Sequence, residues 1–270
     1  MQPFLKWPGG KRWLISNFNN IFPEAYNCYF EPFLGGGSAF FSLLPQQALI
    51  ADINGALINT YHVMKRNPVQ LRELLLRHQE LHSAPHYYAV RATVPDNLIE
   101  QAARFVYLNR TCFNGMYRVN RCGEFNVPIG TKLEFTDDVD LFEEYSAALC
   151  GVHIRRQDFV DTIRNAGEGD LIFADPPYTI AHNQNAFIKY NEKLFSWADQ
   201  QRLLNALIRA RNRGAIILAT NANYPDLQHM YTDAHFYTRI LHRFSSISGL
   251  ANGRGVQEEL LISSYQINDN

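Results

Sequence analysis

Two regions in which predicted strands alternate with predicted helices, separated by a long helical region, constrain the fold of this 270-residue chain most strongly. The first region has an apolar strand over residues 27–34, a glycine turn at 35–37, an apolar helix over 38–44 and a second strand over 48–53. Because a helix between two strands is the usual connection of parallel neighbours in a sheet, this order predicts an α/β fold.

The same alternation resumes after Gly151, with strands predicted over 152–156, 170–174, 215–220, 236–243 and 259–265 and helices over 159–165 and 197–213. The intervening region is predicted to form helices over 56–65, 68–81 and 99–108 and an irregular loop or hairpin over 112–130. About 90 residues are too many for an ordinary loop. We therefore predict one α/β domain from residues 1–55 and 148–270, and an inserted domain from 56–147 with its hairpin at about 112–131.

The composition excludes several classes of protein. Hydrophobic residues make up 46% and charged residues 19%, which is typical of a folded chain and not of a disordered one. The chain has no apolar run of the roughly 18 residues that a membrane span needs, and residues 1–7 lack the apolar segment of a secretion signal. Its four cysteines are scattered, which argues against a disulfide framework and a structural zinc site. We therefore expect a cytoplasmic protein without membrane or metal.

The glycine loop after the first strand is the first candidate binding site. Glycines at such a joint let the backbone approach a ligand closely, and an acid that ends the second strand, here Asp52, commonly binds ribose hydroxyls. The loop lacks the G-x-G-x-x-G pattern of pyrophosphate cofactors. It suits a nucleoside with an amino-acid end, a description that fits S-adenosylmethionine. A glycine turn that merely closes a strand–helix joint explains the loop equally well.

The tetrapeptide Asp175-Pro-Pro-Tyr178 follows a predicted strand and is the second candidate site. Two prolines fix the backbone and leave carbonyl groups free to accept hydrogen bonds. Alkylation of adenine N6 needs this arrangement, since Asp175 and the Pro176 carbonyl can each accept an N6–H bond and support the developing positive charge. The ring of Tyr178 offers a surface on which the base can stack. The alternative is a rigid turn with a half-buried tyrosine.

These motifs occur in the order Phe4-Leu-Lys-Trp-Pro-Gly-Gly-Lys11, Glu31-Pro-Phe-Leu-Gly-Gly-Gly-Ser38, a helical insert, and Asp175-Pro-Pro-Tyr178. The insert carries Tyr107-Leu-Asn-Arg110, Asn114-Gly115 and Gly123-Glu-Phe-Asn-Val-Pro-Ile-Gly130. Over nearly its whole length the chain thus resembles the DNA adenine-N6 methyltransferases of the Dam type, in the α group of amino-methyltransferases. The resemblance implies a Rossmann-like, S-adenosylmethionine-dependent core with an inserted helical and β-hairpin domain that recognises DNA. In such enzymes Asp at the first position of the tetrapeptide accompanies mainly adenine N6 chemistry.

The resemblance also implies roles for individual residues. The residues implied to contact S-adenosylmethionine are Trp7, Lys11, Glu31, Pro32, Gly35, Gly37, Asp52, Ile53, Asp158, Phe159 and Asp175. The catalytic residues implied are Asp175, Pro176, Pro177 and Tyr178. Taken singly, Trp7 is equally explained as a core side chain, Lys11 as a solvated lysine and Asp158 as a helix N-cap.

The net charge of −1 argues against a nucleic-acid partner, because such proteins usually carry a basic surface. Ten basic residues nevertheless lie in three stretches without Asp or Glu, residues 1–23, 101–123 and 234–257. They are Lys6, Lys11, Arg12, Arg104, Arg110, Arg118, Arg121, Arg239, Arg243 and Arg254. Clustered charge of this kind can contact phosphates, although each stretch is also explained as a solvated face.

By resemblance, Lys6 reads a guanine that flanks the target adenine, and Arg118 reads the other guanine. Asn114 positions the hairpin, and Phe113 and Met116 wedge into the base stack when adenine flips out. The other residues implied to contact DNA are Arg110, Asn126 and Pro128. We further expect residues 179–196 to order only around substrate, and residues 245–255 to form a flexible loop that contacts phosphates.

The sequence thus predicts direct methyl transfer to adenine N6 in double-stranded DNA, within GATC, by a monomer. Phe113, Met116 and Thr131 depart from the residues usual at these positions, Tyr, Leu and a basic residue, so a relaxed or altered recognition sequence stays open. Two alternatives also stay open: methylation of RNA or of another DNA sequence, and a catalytically silent protein that binds DNA or the cofactor.

Overall fold

A computed structural model describes residues 1–18, 21–120, 123–178, 195–244 and 256–267. The predictions for residues 179–194 and 245–255 lie outside the described residues, as do Arg121 and Arg254. The described chain confirms the α/β prediction, since its seven strands form one mostly parallel sheet in the order β3-β2-β1-β4-β5-β7-β6. The strands are β1 Tyr29–Glu31, β2 Ala48–Asp52, β3 His153–Arg156, β4 Leu171–Ala174, β5 Ile216–Ala222, β6 Tyr237–Phe244 and β7 Val256–Ser263.

Parallel and antiparallel pairs occupy different parts of this sheet. Strand β1 pairs in parallel with β2 and β4, and β4 pairs in parallel with β5. Strand β7 runs antiparallel between β5 and β6, with Ala222 opposite Glu259. Strand β4 is buried along its whole length, as expected of a central parallel strand that is covered on both faces. Its carboxyl end leads directly into Asp175.

The helices are α1 Arg12–Asn17, α2 Ser38–Leu43, α3 Gly55–Arg66, α4 Pro68–Glu80, α5 Ala84–Ala92, α6 Leu98–Thr111, α7 Phe142–Ala148, α8 Phe159–Ile163, α9 Trp197–Asn212 and α10 Pro225–Asp233. Side-chain N-caps begin several of them, as with Asn54 before α3, Asn97 before α6 and Ser196 before α9. The predicted strands and helices are all present, with ends shifted by up to three residues.

Four helices were not predicted, namely α1, α5, α7 and α10. The sequence does contain a signal for the start of helix α5, because Ser83 caps the helix and Pro85 lies in its first turn. Helix α7 begins at the end of the acidic run over 134–144, and Glu143 and Glu144 in its first turn interact favourably with the positive end of the helix dipole.

The chain divides into two compact units. The first unit comprises residues 1–15, 35–46 and 52–156, and the second comprises 16–34, 47–51 and 157–270. The predicted insert, 56–147, falls wholly within the first unit, whose core includes the packed rings of Phe4, Phe41, Tyr61 and Tyr145. The core of the second unit lies against β4 and β5 and includes Ile172, Leu203, Leu207 and Ile217. The division into a catalytic and a recognition domain stays a prediction.

A histidine pair in the first unit makes its stability depend on pH. The Nδ1 atom of His78 lies 3.0 Å from Nε2 of His86, and the His78 ring stacks on Tyr107 at 4.7 Å. Burial, together with the neighbouring His86, lowers the pKa of His78 to about 4. The unfolded chain then binds the proton more readily than the folded chain, so stability falls as pH drops from about 6.5 towards 4.

We therefore expect the urea midpoint to be lower at pH 5 than at pH 7, and the difference to shrink in a His78→Phe variant that keeps the stacking ring. The exposed His229 provides the matched control, as a His229→Gln variant should keep the wild-type pH dependence. Equal pH dependence in the wild type and the His78→Phe variant would contradict the assignment.

Candidate active site

In the first unit, the glycine loop lies directly against Trp7. Gly35 and Gly37 have φ values of 48° and 67°, in the left-handed region that side chains rarely adopt. A Cβ atom on Gly35 would lie 2.7 Å from Cδ1 of Trp7, so the two residues pack without room for a methyl group. The Trp7 indole stacks on Tyr117 at 5.4 Å, which fixes its ring over the loop. The loop backbone is thus held in a close-packed conformation that requires glycine.

Asp52, at the end of β2, accepts a hydrogen bond from the backbone of the glycine loop. Its Oδ2 accepts the Gly35 N–H at 3.1 Å and its Oδ1 accepts the Asn54 N–H at 2.9 Å. Burial raises the pKa of Asp52, while the two backbone bonds act in the opposite direction. Each carboxylate oxygen can accept more than one bond, so hydroxyl groups can still be recognised. The neighbouring Ile53 side chain is 69% exposed, an apolar surface next to the buried acid.

Lys11 is buried, and its Nζ donates to the Gly9 carbonyl at 3.0 Å. The structure therefore excludes the alternative of a solvated lysine. Lys6 is exposed, and the glycine at position 115 lies beside its aliphatic chain. Both lysines belong to the first unit, as do Trp7, Gly35, Gly37 and Asp52.

In the second unit, an aromatic cluster accompanies the predicted cofactor residues Asp158 and Phe159. Phe33 stacks on Phe159 at 5.2 Å, and Phe195 contacts both rings. Asp158 is the N-cap of α8, with its Oδ1 accepting the Val160 N–H at 2.9 Å. The same oxygen pairs with Arg202 at 3.0 Å. The helix-cap alternative for Asp158 is thus observed, alongside a packed aromatic cluster of which the sequence indicated only Phe159.

Glu31 is the last residue of β1 and Pro32 follows it, and both are buried. The Glu31 carboxylate accepts the Tyr29 hydroxyl at 2.8 Å, and burial with this charge raises the pKa of Tyr29. Tyr29 thereby fixes the rotamer of a buried acid at the start of the glycine loop.

The tetrapeptide at the end of β4 is tied to the two strands that follow β4 in the sheet. Thr220, on β5, donates its hydroxyl to Oδ1 of Asp175 at 2.7 Å. The Tyr178 hydroxyl donates to Oε2 of Glu259, on β7, at 2.6 Å. Burial raises the pKa of Tyr178, and the charges of Asp175 and Glu259 raise it further. Pro176 is buried and Pro177 is exposed.

The predicted hairpin is present as two isolated antiparallel bridges, Cys112 with Ile129 and Val119 with Phe125. Within it, Arg118 Nε donates to Oδ1 of Asn126 at 2.9 Å. Asn114 has a φ of 56° and forms part of a 3-10 turn over Phe113–Gly115. The residues of the hairpin with exposed side chains include Phe113, Asn114, Arg118, Asn126 and Pro128, whereas Met116 is half-buried.

Arg110 does not share this exposure. Its guanidinium is 6% exposed and pairs with both carboxylate oxygens of Asp138, at 2.5 and 3.0 Å. It also donates to the backbone carbonyls of Phe4 and Phe135. Because every side of this group is engaged inside the first unit, we correct its expected role from a DNA contact to a structural one.

Replacing Arg110 by methionine should lower the free energy of unfolding by about 3 kcal/mol, because a partly buried carboxylate and two carbonyl groups lose their hydrogen-bond donor. Urea denaturation followed by circular dichroism measures the loss. The exposed pair of Lys132 and Asp137, 3.0 Å apart, is the matched control. A Lys132→Met variant should lose no more than about 1 kcal/mol, and similar losses in both variants would contradict the structural role of Arg110.

Sequence reasoning missed several residues that position the predicted ones. Thr220 and Glu259 carried no motif signal, because only the pairing of β4 with β5 and of β5 with β7 brings them to the end of β4. Phe195, Tyr29 and Asn109 were missed as well, although Asn109 lies inside a quoted motif.

Among the residues that the structure describes, no three His, Cys, Asp or Glu side chains are grouped so that they could hold a metal ion. Within the same ranges, every helix is too short or too polar to span a membrane.

Residues 7–244 match the family described as D12 class N6 adenine-specific DNA methyltransferase. The Type II methyltransferase M1.LlaDCHI of Lactococcus lactis subsp. cremoris is 37% identical over 98% of this chain and 96% of its own length. The DNA N-6-adenine-methyltransferase of Escherichia phage P1 is 37% identical over 95% of this chain and 34% of its own length. The DNA adenine methylase of Haemophilus influenzae is 32% identical, with coverages of 87% and 84%.

Proposed function

Because the chain belongs to the D12 class N6 adenine-specific DNA methyltransferase family, we propose that it methylates adenine N6 in double-stranded DNA within GATC, with S-adenosylmethionine as donor. The proposal depends on two hydrogen bonds at the end of a central parallel strand, between Asp175 and Thr220 and between Tyr178 and Glu259. Ligands of such sheets bind at the carboxyl ends of the strands.

The residues of the first unit fit the proposed donor. The Trp7 ring packs closely against the backbone of Gly35. Asp52 is a buried acceptor for hydroxyl groups and lies beside the exposed, apolar Ile53. In the second unit, the half-buried ring of Phe33, supported by the buried Phe159, offers a face on which an adenine can stack. When bound, S-adenosylmethionine supplies an electrophilic methyl group. We propose that Lys11, Glu31, Pro32, Gly37 and Asp158 support its binding.

At the target, Asp175 and the Pro176 carbonyl accept the two N6–H bonds of adenine. These bonds favour a tetrahedral nitrogen, whose lone pair is no longer delocalised into the ring, and they stabilise the positive charge that develops as N6 attacks. Thr220 donates to one carboxylate oxygen and so holds the orientation of Asp175. The proton that N6 loses after methyl transfer can pass to Asp175, because the amine is acidic only at that stage. Pro177 keeps the loop rigid.

For DNA recognition, we propose that Lys6 contacts the guanine that flanks the target adenine and that Arg118 contacts the other guanine of the duplex GATC site. Lys6 and Arg118 are exposed and both belong to the first unit. The exposed Phe113, with Met116 close to it in sequence, can fill the gap that the flipped adenine leaves in the base stack. Asn114, Asn126 and Pro128 line the same hairpin.

Expression in cells that lack adenine methylation tests the proposal. Genomic DNA should resist a restriction enzyme that methylated GATC blocks, and an Asp175→Ala variant should leave the DNA cleavable. Cleavable DNA that contains N6-methyladenine would refute the recognition sequence alone. Absence of N6-methyladenine from the DNA, with soluble folded protein, would refute the activity.

The Tyr178–Glu259 bond yields a separate prediction. A Glu259→Leu variant leaves the buried Tyr178 hydroxyl without this acceptor, and the ring loses its fixed orientation for stacking. Since stacking contributes about 1–3 kcal/mol per base, we expect kcat/KM for DNA to fall about tenfold or more. Glu259→Gln keeps an acceptor and should lose less. Glu258, which contacts Asn223 and is exposed, is the matched control, and an equal loss in Glu258→Leu would contradict the assignment.

A further inference from the structure

The backbone of Lys6 is held by one side chain, that of Asn109 on α6. The Lys6 N–H donates to Oδ1 of Asn109 at 2.9 Å, and Nδ2 of Asn109 donates to the Lys6 carbonyl at 2.7 Å. The amide therefore pairs with both polar groups of one residue, 103 positions away in the chain. Asn109 is fully buried, so its end of each bond is shielded from competing water.

The aliphatic chain of Lys6 is confined by the hairpin. A Cβ atom on Gly115 would lie 2.6 Å from Cδ of Lys6, so the lysine chain rests on this glycine. Gly115 has a φ of 62°, and its N–H donates to the Cys112 carbonyl at 3.1 Å. The hairpin thus contacts the side chain of Lys6, and the end of α6 contacts its backbone.

The charge around Lys6 leaves its ammonium suited to an acceptor from outside the protein. Burial lowers the pKa of Lys6, and the nearby cations Lys132, Arg110 and Arg12 lower it further. Arg110 also binds the carbonyl of Phe4, two residues before Lys6. Arg110 and Lys132 are paired with Asp138 and Asp137, whereas the exposed Lys6 side chain can meet a partner rich in acceptors, such as a guanine edge beside a phosphate backbone.

We propose that Asn109 is the positioning residue for Lys6 and thereby controls discrimination at the base that Lys6 contacts. The inference rests on the proposed function, since it requires that Lys6 reads a base. Asn109 fixes the Lys6 backbone to the last turn of α6, and the hairpin that carries Arg118 begins one residue after that helix ends. The N-terminal segment and the hairpin then present Lys6 and Arg118 at a constant separation, which recognition of one sequence requires.

A role in folding alone would explain the same two hydrogen bonds, so the test must separate specificity from stability. The matched control is Gln79, whose amide makes the same pair of bonds to another segment, accepting the Phe135 N–H at 3.0 Å and donating to the Leu133 carbonyl at 2.9 Å. Loss of that amide should lower stability without altering base discrimination.

The experiment compares kcat/KM for a GATC duplex with that for a duplex in which the guanine 5′ to the target adenine is replaced, in the purified full chain. Asn109→Ala should reduce the ratio of the two values about tenfold, and Gln79→Ala should leave it at the wild-type value. In a Lys6→Ala background, Asn109→Ala should reduce the ratio no further, because the residue through which it acts is gone.

A Gly115→Ala variant should also reduce discrimination at that base, because its methyl group displaces the Lys6 chain. The discrimination of Asn109→Asp should lie between that of the wild type and that of Asn109→Ala. These variants keep the test decisive if Asn109→Ala does not fold. An equal fall of kcat/KM on both duplexes would show that Asn109 is structural only. If Lys6→Ala retains full discrimination while the wild type methylates GATC, this inference and the proposed base contact of Lys6 both fail, and the proposed methylation of GATC stands.

Discussion

Replacing Asp175 by asparagine should lower kcat for adenine methylation by about 10²–10³-fold, a far larger change than in the affinity for S-adenosylmethionine. The expected size follows from the loss of one preorganised electrostatic group at a site of developing charge. Asparagine keeps the volume of the side chain, but it places an N–H donor where one N6–H of adenine needs an acceptor. Single-turnover methylation measures kcat, and calorimetric titration of the donor measures the affinity.

Strand β4 supplies the matched control for this experiment. Asp170 precedes the strand as Asp175 follows it, and its carboxylate accepts the backbone N–H groups of Cys28 at 3.0 Å and Gly167 at 2.8 Å. An Asp170→Asn variant should lose stability and keep kcat. Thr220→Val should give an intermediate loss of kcat, because it frees the Asp175 side chain to rotate without removing the carboxylate. A rate near that of the wild type in Asp175→Asn would exclude this residue from the mechanism.

Local signals explain why much of the fold was predictable. The apolar strand over 171–174, the glycine loop and the capped helices each depend on residues close together in sequence, and the structure places all of them near their predicted ends. The network around Asp175 was not predictable in this way. Thr220 reaches it because β4 pairs with β5, and Glu259 reaches it because β5 pairs with β7 in one register, with Thr220 opposite Leu261. No local pattern specifies either pairing.

Charge patterns in sequence were a weaker guide to individual roles. Arg110 lies in a stretch without acids, which predicted a contact with DNA, yet in the structure Asp138 reaches it from 28 positions away. Asp138, in the acidic run at 134–144, is therefore the partner of a buried cation. Arg118, in the same basic stretch, has an exposed side chain. A one-dimensional charge count cannot separate these two cases, because burial depends on the packing of the helix end.

The second large effect is expected at the glycine loop, where Gly35→Ala should weaken binding of S-adenosylmethionine at least about tenfold, or 1.4 kcal/mol. Two costs act together at this position. Alanine is disfavoured at a φ of 48° by about 1–2 kcal/mol. Its methyl group would also lie 2.7 Å from the Trp7 ring, which Tyr117 prevents from turning away, so the loop must shift and its bond to Asp52 weakens.

Gly151 separates these two costs. It has a φ of 80°, and a Cβ atom there would meet only the Gln46 carbonyl oxygen, at an ordinary 3.6 Å. Gly151→Ala should therefore lose stability in urea denaturation and bind the donor as the wild type does. If Gly35→Ala and Gly151→Ala bind S-adenosylmethionine equally well, the steric contact with Trp7 has no bearing on the cofactor. The glycine loop would then be a simple strand–helix joint, and the donor would have to bind through other residues, with Phe33 and Phe159 the first to test.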